Sequence, residues 1–153
     1  MKIWLQYLET VAAGLLVGKI VLFSVVVAPI LAKTLEPPVF GRTIRVLFPA
    51  YYALGMGAAA LGLATRAGQV AGARASGTDA MMLGLWGCVF ALEWYSRSAL
   101  TPRMNALRDL LTERGQPNPQ EEQKRREWDS LHRRAVQING VVLVVGLIAL
   151  GFA

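Results

Sequence analysis

The sequence predicts an all-α integral membrane protein with four transmembrane helices and a cytoplasmic helical hairpin between the third and the fourth. Two observations support this class. Hydrophobic residues make up 54% of the 153 residues and the mean hydropathy is +0.41, values typical of membrane proteins. Four apolar stretches each approach the length of about 20 residues that a helix needs to cross a bilayer. We predict one domain over 1–153, with spans at about 5–31, 46–65, 80–100 and 135–152 and the hairpin at 101–134.

The first span is a long apolar stretch with one charge inside it. Lys19 is the only charged residue between Glu9 and Lys33. The stretch is longer than the core of a secretory signal, and Pro29 directly follows Ala28 where a cleavage site would need a small residue. We therefore expect a membrane helix that is not cleaved.

Small residues recur about one turn apart in all four spans. They are Gly14 and Gly18 in the first, Gly55, Ala58, Ala59 and Gly62 in the second, Gly84 and Cys88 in the third, and Gly140 in the fourth. Small residues let helix backbones approach closely where the surrounding lipid is as apolar as leucine. This pattern predicts a tightly packed four-helix bundle.

Positive charges are distributed unevenly between the connectors. The first and third connectors hold twelve Lys and Arg residues, namely Lys33, Arg42, Arg45, Arg97, Arg103, Arg108, Arg114, Lys124, Arg125, Arg126, Arg133 and Arg134. The N-terminus, the Gly- and Ala-rich second connector and the C-terminus hold only Lys2, Arg66 and Arg74. By the positive-inside rule, both termini are predicted to be periplasmic in a bacterial inner membrane. The same distribution favours contact with anionic lipid headgroups and gives no indication of nucleic-acid binding.

The third connector has the pattern of a helical hairpin. Thr101 and Pro102 can start a helix that ends at Gly115, and Asn118 followed by Pro119 resembles the start of a second helix that continues into the fourth span. Apolar residues at helical spacing predict contact between the two helices: Met104, Leu107 and Leu111 on the first, Trp128 and Leu131 on the second. Three i,i+4 pairs are predicted on the second helix, Glu121–Arg125, Glu122–Arg126 and Asp129–Arg133.

Ionisable residues within the spans are the strongest candidates for a site, because such groups are costly in a membrane and tend to face a partner or a water-filled cavity. Lys19 and Glu93 each lie about 20 Å from the exterior end of their helix at 1.5 Å per residue, so we expect them to meet. Arg97 follows Glu93 by one turn. The full predicted polar cluster is Lys19, Glu93, Arg97, Tyr51, Tyr52 and Asn139. It is either a solute or proton site in which Glu93 changes charge, or a neutral ion pair that fixes helix register.

Sulfur ligands give a weaker indication of a metal site. Met56, Met81, Met82 and Cys88 are ligand types that suit Cu(I)-like ions, although scattered sulfurs usually fill a core. His132 is the single histidine, which excludes a bis-histidine haem within one chain. We expect no cofactor and no resident metal. No phosphate-binding loop, nucleophile elbow or catalytic triad pattern is present, so the sequence does not predict an enzyme.

A set of spaced motifs resembles a known membrane family. Phe40-Gly41 is followed after five residues by Leu47-Phe48-Pro49, and Pro29, Pro102, Asn105 and His132 match family positions in the same order. The chain resembles the uncharacterised membrane family typified by animal transmembrane protein 205, a domain of unknown function in bacteria. The resemblance implies a membrane helical bundle. Animal members are associated with resistance to platinum drugs, which is a phenotype and not a mechanism.

Two functions are consistent with the sequence. The first is transport or efflux of a small solute, metal or toxic compound. A homo-oligomer is expected in this case, because the four short helices of one chain leave little room for a conducting path. The alternative is a non-catalytic accessory subunit that joins a larger membrane complex through its small-residue faces and its hairpin. Mutation of Lys19 or Glu93 is expected to change transport in the first case, whereas mutation of Arg125 or Arg126 is expected to release a partner in the second.

Overall fold

The computed structural model describes residues 2–71, 76–112 and 119–152, and it confirms an all-helical chain with no strand in those ranges. The α-helices are α1 (Lys2–Val21), α2 (Ala28–Thr34), α3 (Pro37–Val70), α4 (Gly77–Tyr95), α5 (Thr101–Thr112) and α6 (Pro119–Phe152), with π-helical turns at Leu22–Val27 and Ser96–Leu100. The predicted helix end at Gly115, the cap at Asn118 and the charges of Arg74 and Arg114 fall outside the described residues.

Two of the long helices contain a π-helical turn and continue beyond it without interruption. The first continues from Lys2 to Thr34, and α4 continues into α5 over 77–112 without a break. Each π-helical turn lies just before a proline, Pro29 or Pro102. A proline within a helix has no N–H and collides with the carbonyl four residues earlier, and the wider turn accommodates that conflict. The hairpin helix predicted to start at Thr101 is therefore a continuation of α4.

Three helices are long and apolar enough to cross a membrane: Lys2–Thr34, Pro37–Val70 and Glu121–Phe152. The predicted third span, now α4, is not among them, since Asp79 and Glu93 lower its hydropathy. The structure thus supports three of the four predicted spans. The helices also extend well beyond the predicted bounds, because α3 and α6 each contain 34 residues.

The main core lies between α1, α3, α4 and α6 and includes the fully buried Leu16, Met82, Trp86 and Val142. A second cluster of Leu100, Met104, Leu107 and Leu131 packs α5 against α6 beneath Trp128. The structure thereby brings together most of the apolar residues expected to join the two hairpin helices, while Leu111 is half-buried at their edge.

Small residues divide into two groups with different surroundings. In α3, Gly55, Ala58, Ala59 and Gly62 face the bundle interior. By contrast, a Cβ added at Gly14, Gly18, Gly84 or Gly140 would meet no atom within 4 Å, and Cys88 is exposed. The prediction that the residues of this second group pack helices together inside the bundle is therefore wrong. On α1, for example, the buried stripe passes through Ala12, Leu16 and Lys19, and not through the glycines.

Candidate functional site

A buried ion pair joins α1 to α4 in the middle of the bundle. Lys19 Nζ lies 2.5 Å from Glu93 Oε1, and the two side chains are 2% and 1% exposed. The backbone of α3 passes beside the pair at Gly55, where an added Cβ would overlap both the ammonium and the carboxylate. Only glycine leaves room for the pair at this position, so three helices converge on one pair of charges.

Tyr51 connects the ion pair to α6. Lys19 Nζ is 4.1 Å from the centroid of the Tyr51 ring and 3.5 Å from the Tyr51 carbonyl oxygen. The Tyr51 hydroxyl donates a hydrogen bond of 3.0 Å to Asn139 Oδ1. The cation–π contact and these polar contacts compensate part of the cost of burying the ammonium group.

Two buried oxygen atoms near the pair have no hydrogen-bond partner among the described residues. They are Glu93 Oε2 and Ser96 Oγ, which lie one turn apart on the same helix. A buried polar atom without a partner is unfavourable by about 1–3 kcal/mol. Both oxygens can therefore accept a hydrogen bond from a donor that enters the bundle.

A cavity of about 340 Å³, the central cavity, lies between the helices next to Tyr51 and Tyr52. Its walls are mainly apolar and aromatic, formed by Phe23, Ala28, Phe40, Ile44, Phe48, Met104, Trp128, Ala135 and Val136. Polar groups are contributed by Ser24, Tyr51, Tyr52, Thr101, Asn105, Arg108, His132 and Asn139. A mostly apolar pocket with a few convergent polar groups is the usual form of a small-molecule site.

The structure brings together five of the six residues in the predicted polar cluster: Lys19, Glu93, Tyr51, Tyr52 and Asn139. Arg97 is not in the cluster. Its side chain is exposed, because the buried stripe continues from Glu93 to Ser96 and Leu100, and Arg97 lies beyond the edge of that stripe.

Four of the nine residues that carry the family resemblance line the same cavity. Phe40, Phe48, Asn105 and His132 line it, and Gly41 accepts a hydrogen bond of 3.2 Å from Arg108 through its carbonyl oxygen. Pro29 and Pro102 follow the two π-helical turns, whereas Leu47 and Pro49 are not part of the lining. His132 stacks on Trp128, with ring centroids 5.1 Å apart.

The candidate sulfur ligands do not share one cavity. Met82 is fully buried in the core, whereas Met81 and Cys88 are exposed on the outside of α4 and Met56 is half-buried. The described part of the chain contains no group of three His, Cys, Asp or Glu residues that could hold a metal ion.

A second buried network, the terminal-end network, was not predicted. Glu9, fully buried, accepts hydrogen bonds from Arg66 Nε at 3.0 Å, Trp86 Nε1 at 3.0 Å and Gln69 Nε2 at 2.8 Å. Arg66 also contacts Asp79 at 3.4 Å and donates to the Phe152 carbonyl at 3.2 Å. Glu9 lies within the predicted first span and Arg66 in the predicted second connector, and no partner was predicted for either. Their opposite charges at the same predicted end of adjacent spans are the signal that could have paired them.

The terminal-end network joins the start of α1, the end of α3, the start of α4 and the end of α6. Both termini therefore lie at one end of the bundle, and the central cavity lies towards the opposite, hairpin end. Ser76 and Asp79 form a capping box at the start of α4, and the hydrogen bonds that Asp79 accepts from the Ser76 backbone N–H and hydroxyl lower the pKa of its carboxyl group below the usual value of 3.8.

Comparison with known proteins gives one match. No curated protein and no solved structure matches the chain. A family model described as a domain of unknown function (DUF4149) matches residues 11–113, which include the ion pair, both π-helical turns and most of the cavity lining. The chain therefore belongs to the DUF4149 family of domains of unknown function.

Proposed function

We propose that the protein is a small membrane transport protein that binds a small, largely apolar solute in the central cavity. The observation that carries the proposal is the adjacency of that cavity to a fully buried ion pair. Tyr51 belongs to both, since its ring contacts Lys19 and its hydroxyl reaches Asn139 on the cavity wall. A solute that contacts Tyr51 can therefore change the environment of Lys19 and Glu93.

The cavity walls define the class of solute. Aromatic and aliphatic side chains supply most of the lining, and the amides of Asn105 and Asn139 are positioned to hold one or two polar groups. An amphipathic organic compound fits this lining better than a hydrated metal ion, since no cluster of His, Cys, Asp or Glu ligands is present in the described residues. This preference agrees with a role in efflux of toxic compounds.

We further propose that α4 is a fourth span. Glu93, the carboxylate inside this span, pairs with Lys19, which reduces the cost of placing it in a membrane, and Asp79 precedes the predicted span and contacts Arg66. Termini at one end of the bundle are consistent with an even number of spans. The excess of Lys and Arg at the hairpin end favours a cytoplasmic location for that end and periplasmic termini in a bacterial inner membrane.

A second candidate function has a specific observation in its favour. Gly14 and Gly18 form a G-x-x-x-G stripe on the outside of α1, where no described residue covers them. Such a stripe allows close approach of another helix. Self-association there is consistent with transport by a homo-oligomer, and association with a foreign subunit is consistent with the accessory role. The resemblance to the transmembrane protein 205 family fits either role.

Native mass spectrometry of protein extracted gently from its own membrane, at native expression level, tests both proposals. We expect a homo-oligomer that retains a small organic molecule. Ala135→Leu narrows the cavity and should remove that molecule, whereas Ala91→Leu, which adds the same side chain at an exposed position on α4, should retain it. Co-purification of foreign subunits at fixed stoichiometry, with no bound molecule, would reject transport and support the accessory role.

A further inference from the structure

A second, larger crevice lies at the hairpin end, between the start of α3, α5 and the first turns of α6. Its volume is about 840 Å³. Its described lining includes four arginines, Arg42, Arg45, Arg108 and Arg125, and one carboxylate, Asp109. We call this site the arginine crevice. Phe40, Arg108 and Trp128 separate it from the central cavity and line both.

Like charges lie close together in the described part of the arginine crevice. Arg45 pairs with Asp109, and Arg125 pairs with Glu121 at 3.0 Å. Among the described residues, Arg42 lines the crevice and makes no ion pair. Burial and the nearby charge of Arg45 lower the pKa of Arg108 from its ordinary value. An anion in the crevice would relieve this crowding of like charge.

Two of the guanidinium groups are already oriented in the crevice. Arg108 donates to the Gly41 carbonyl at 3.2 Å and lies 5.8 Å from the Trp128 ring. The Nε of Arg45 is buried and has no acceptor among the described residues, although another nitrogen of the same group binds Asp109. A buried guanidinium donor without an acceptor is costly, and an anionic oxygen in the crevice would satisfy it.

We infer that the arginine crevice binds a phosphate group. Planar guanidinium groups bind phosphate through strong, paired, charge-assisted hydrogen bonds. The remaining wall is apolar, formed by Pro37, Pro38, Phe40, Leu111 and Trp128. This wall suits the glycerol and upper acyl carbons of an anionic phospholipid, and tryptophan is enriched at membrane interfaces. A free phosphate ion would use only the arginines. The inference does not depend on the proposed solute site.

Native mass spectrometry in a detergent mixture containing equal phosphatidylglycerol and phosphatidylcholine tests the inference. The wild-type protein should retain phosphatidylglycerol preferentially. Arg42→Gln should weaken retention by about tenfold, the size expected for one charge-assisted hydrogen bond, and adding Arg125→Gln should weaken it by about a further tenfold. Arg42 is exposed and makes no ion pair among the described residues, so its replacement should not disturb folding. Arg126→Gln is the matched control, because Arg126 is exposed, is not among the described lining residues and pairs with Glu122.

A parallel titration of delipidated protein with inorganic phosphate distinguishes the two sources of the phosphate group. Weak binding of inorganic phosphate together with strong phosphatidylglycerol retention identifies a lipid site. Tight binding of inorganic phosphate that is lost in Arg42→Gln identifies a site for a soluble phosphate compound. Equal retention of both lipids with no phosphate binding would overturn the inference, as would equal weakening by the Arg126→Gln control.

Discussion

Replacing Glu93 by glutamine should leave a charged Lys19 buried in the middle of the bundle. Glutamine has nearly the shape of glutamate and can still accept a hydrogen bond from Lys19, so the variant changes charge with little change in packing. The remaining contacts of the Lys19 ammonium among the described residues are the Tyr51 ring at 4.1 Å, the Tyr52 ring at 5.8 Å and the Tyr51 carbonyl at 3.5 Å. None of them is an anion.

The expected loss of stability follows from the burial of both groups. The two side chains are 2% and 1% exposed, and removing one partner of such a pair costs about 3–5 kcal/mol. Replacing both partners with apolar residues of similar size, as in Lys19→Met with Glu93→Leu, removes the unpaired charge, and such replacements are often neutral or stabilising. We therefore expect the double variant to be more stable than Glu93→Gln.

Equilibrium unfolding in mixed micelles, followed by tryptophan fluorescence, measures this difference. The control is Glu127→Gln, which removes the surface pair of Glu127 with Arg103 and should cost no more than about 1 kcal/mol. If Glu93→Gln unfolds within about 1 kcal/mol of wild type, the reasoning about an unpaired buried charge is wrong. If the double variant is stable but no longer binds the solute, the ion pair contributes to solute binding as well as to the alignment of α1 with α4.

Three further predictions concern other parts of the bundle. Gly62→Ala should destabilise the protein by about 1–3 kcal/mol, because its Cβ would overlap the Trp86 ring, whereas Gly57→Ala, with open space around its Cβ, should be neutral or stabilising in the same unfolding assay. Glu9→Gln should cost several kcal/mol and change the fluorescence of Trp86, whose indole N–H donates to Glu9; unchanged fluorescence would contradict the contact. The pKa of Asp79 is lower in the folded protein, so its contribution to stability is present above the unfolded value of 3.8 and is lost as pH falls through the folded pKa. The difference in stability between wild type and Asp79→Asn should therefore shrink as the pH is lowered below about 4, and a constant difference would count against that assignment.

The positions of the charged residues inside the bundle were only partly predictable. Counting residues from the helix ends placed Lys19 and Glu93 at the same depth, because an α-helix rises a fixed 1.5 Å per residue, and the structure pairs them. The same reasoning placed Arg97 beside Glu93, yet the structure exposes it. The buried stripe includes Glu93, Ser96 and Leu100. Arg97 lies in the π-helical turn Ser96–Leu100, and a sequence does not show where such a turn changes the direction of a side chain.

The amino-acid sequence by itself determined the helical class, three of the predicted apolar spans and the excess of positive charge at one end, because these follow from local composition and length. Tertiary structure alone decided which faces meet. It brought Glu9, Arg66 and Trp86 together across three helices, turned Gly14 and Gly18 outward, and gathered Arg42, Arg45, Arg108 and Arg125 from three segments into one crevice. The physical reason is that helix rotation and register depend on packing between side chains far apart in the chain, which no local pattern records.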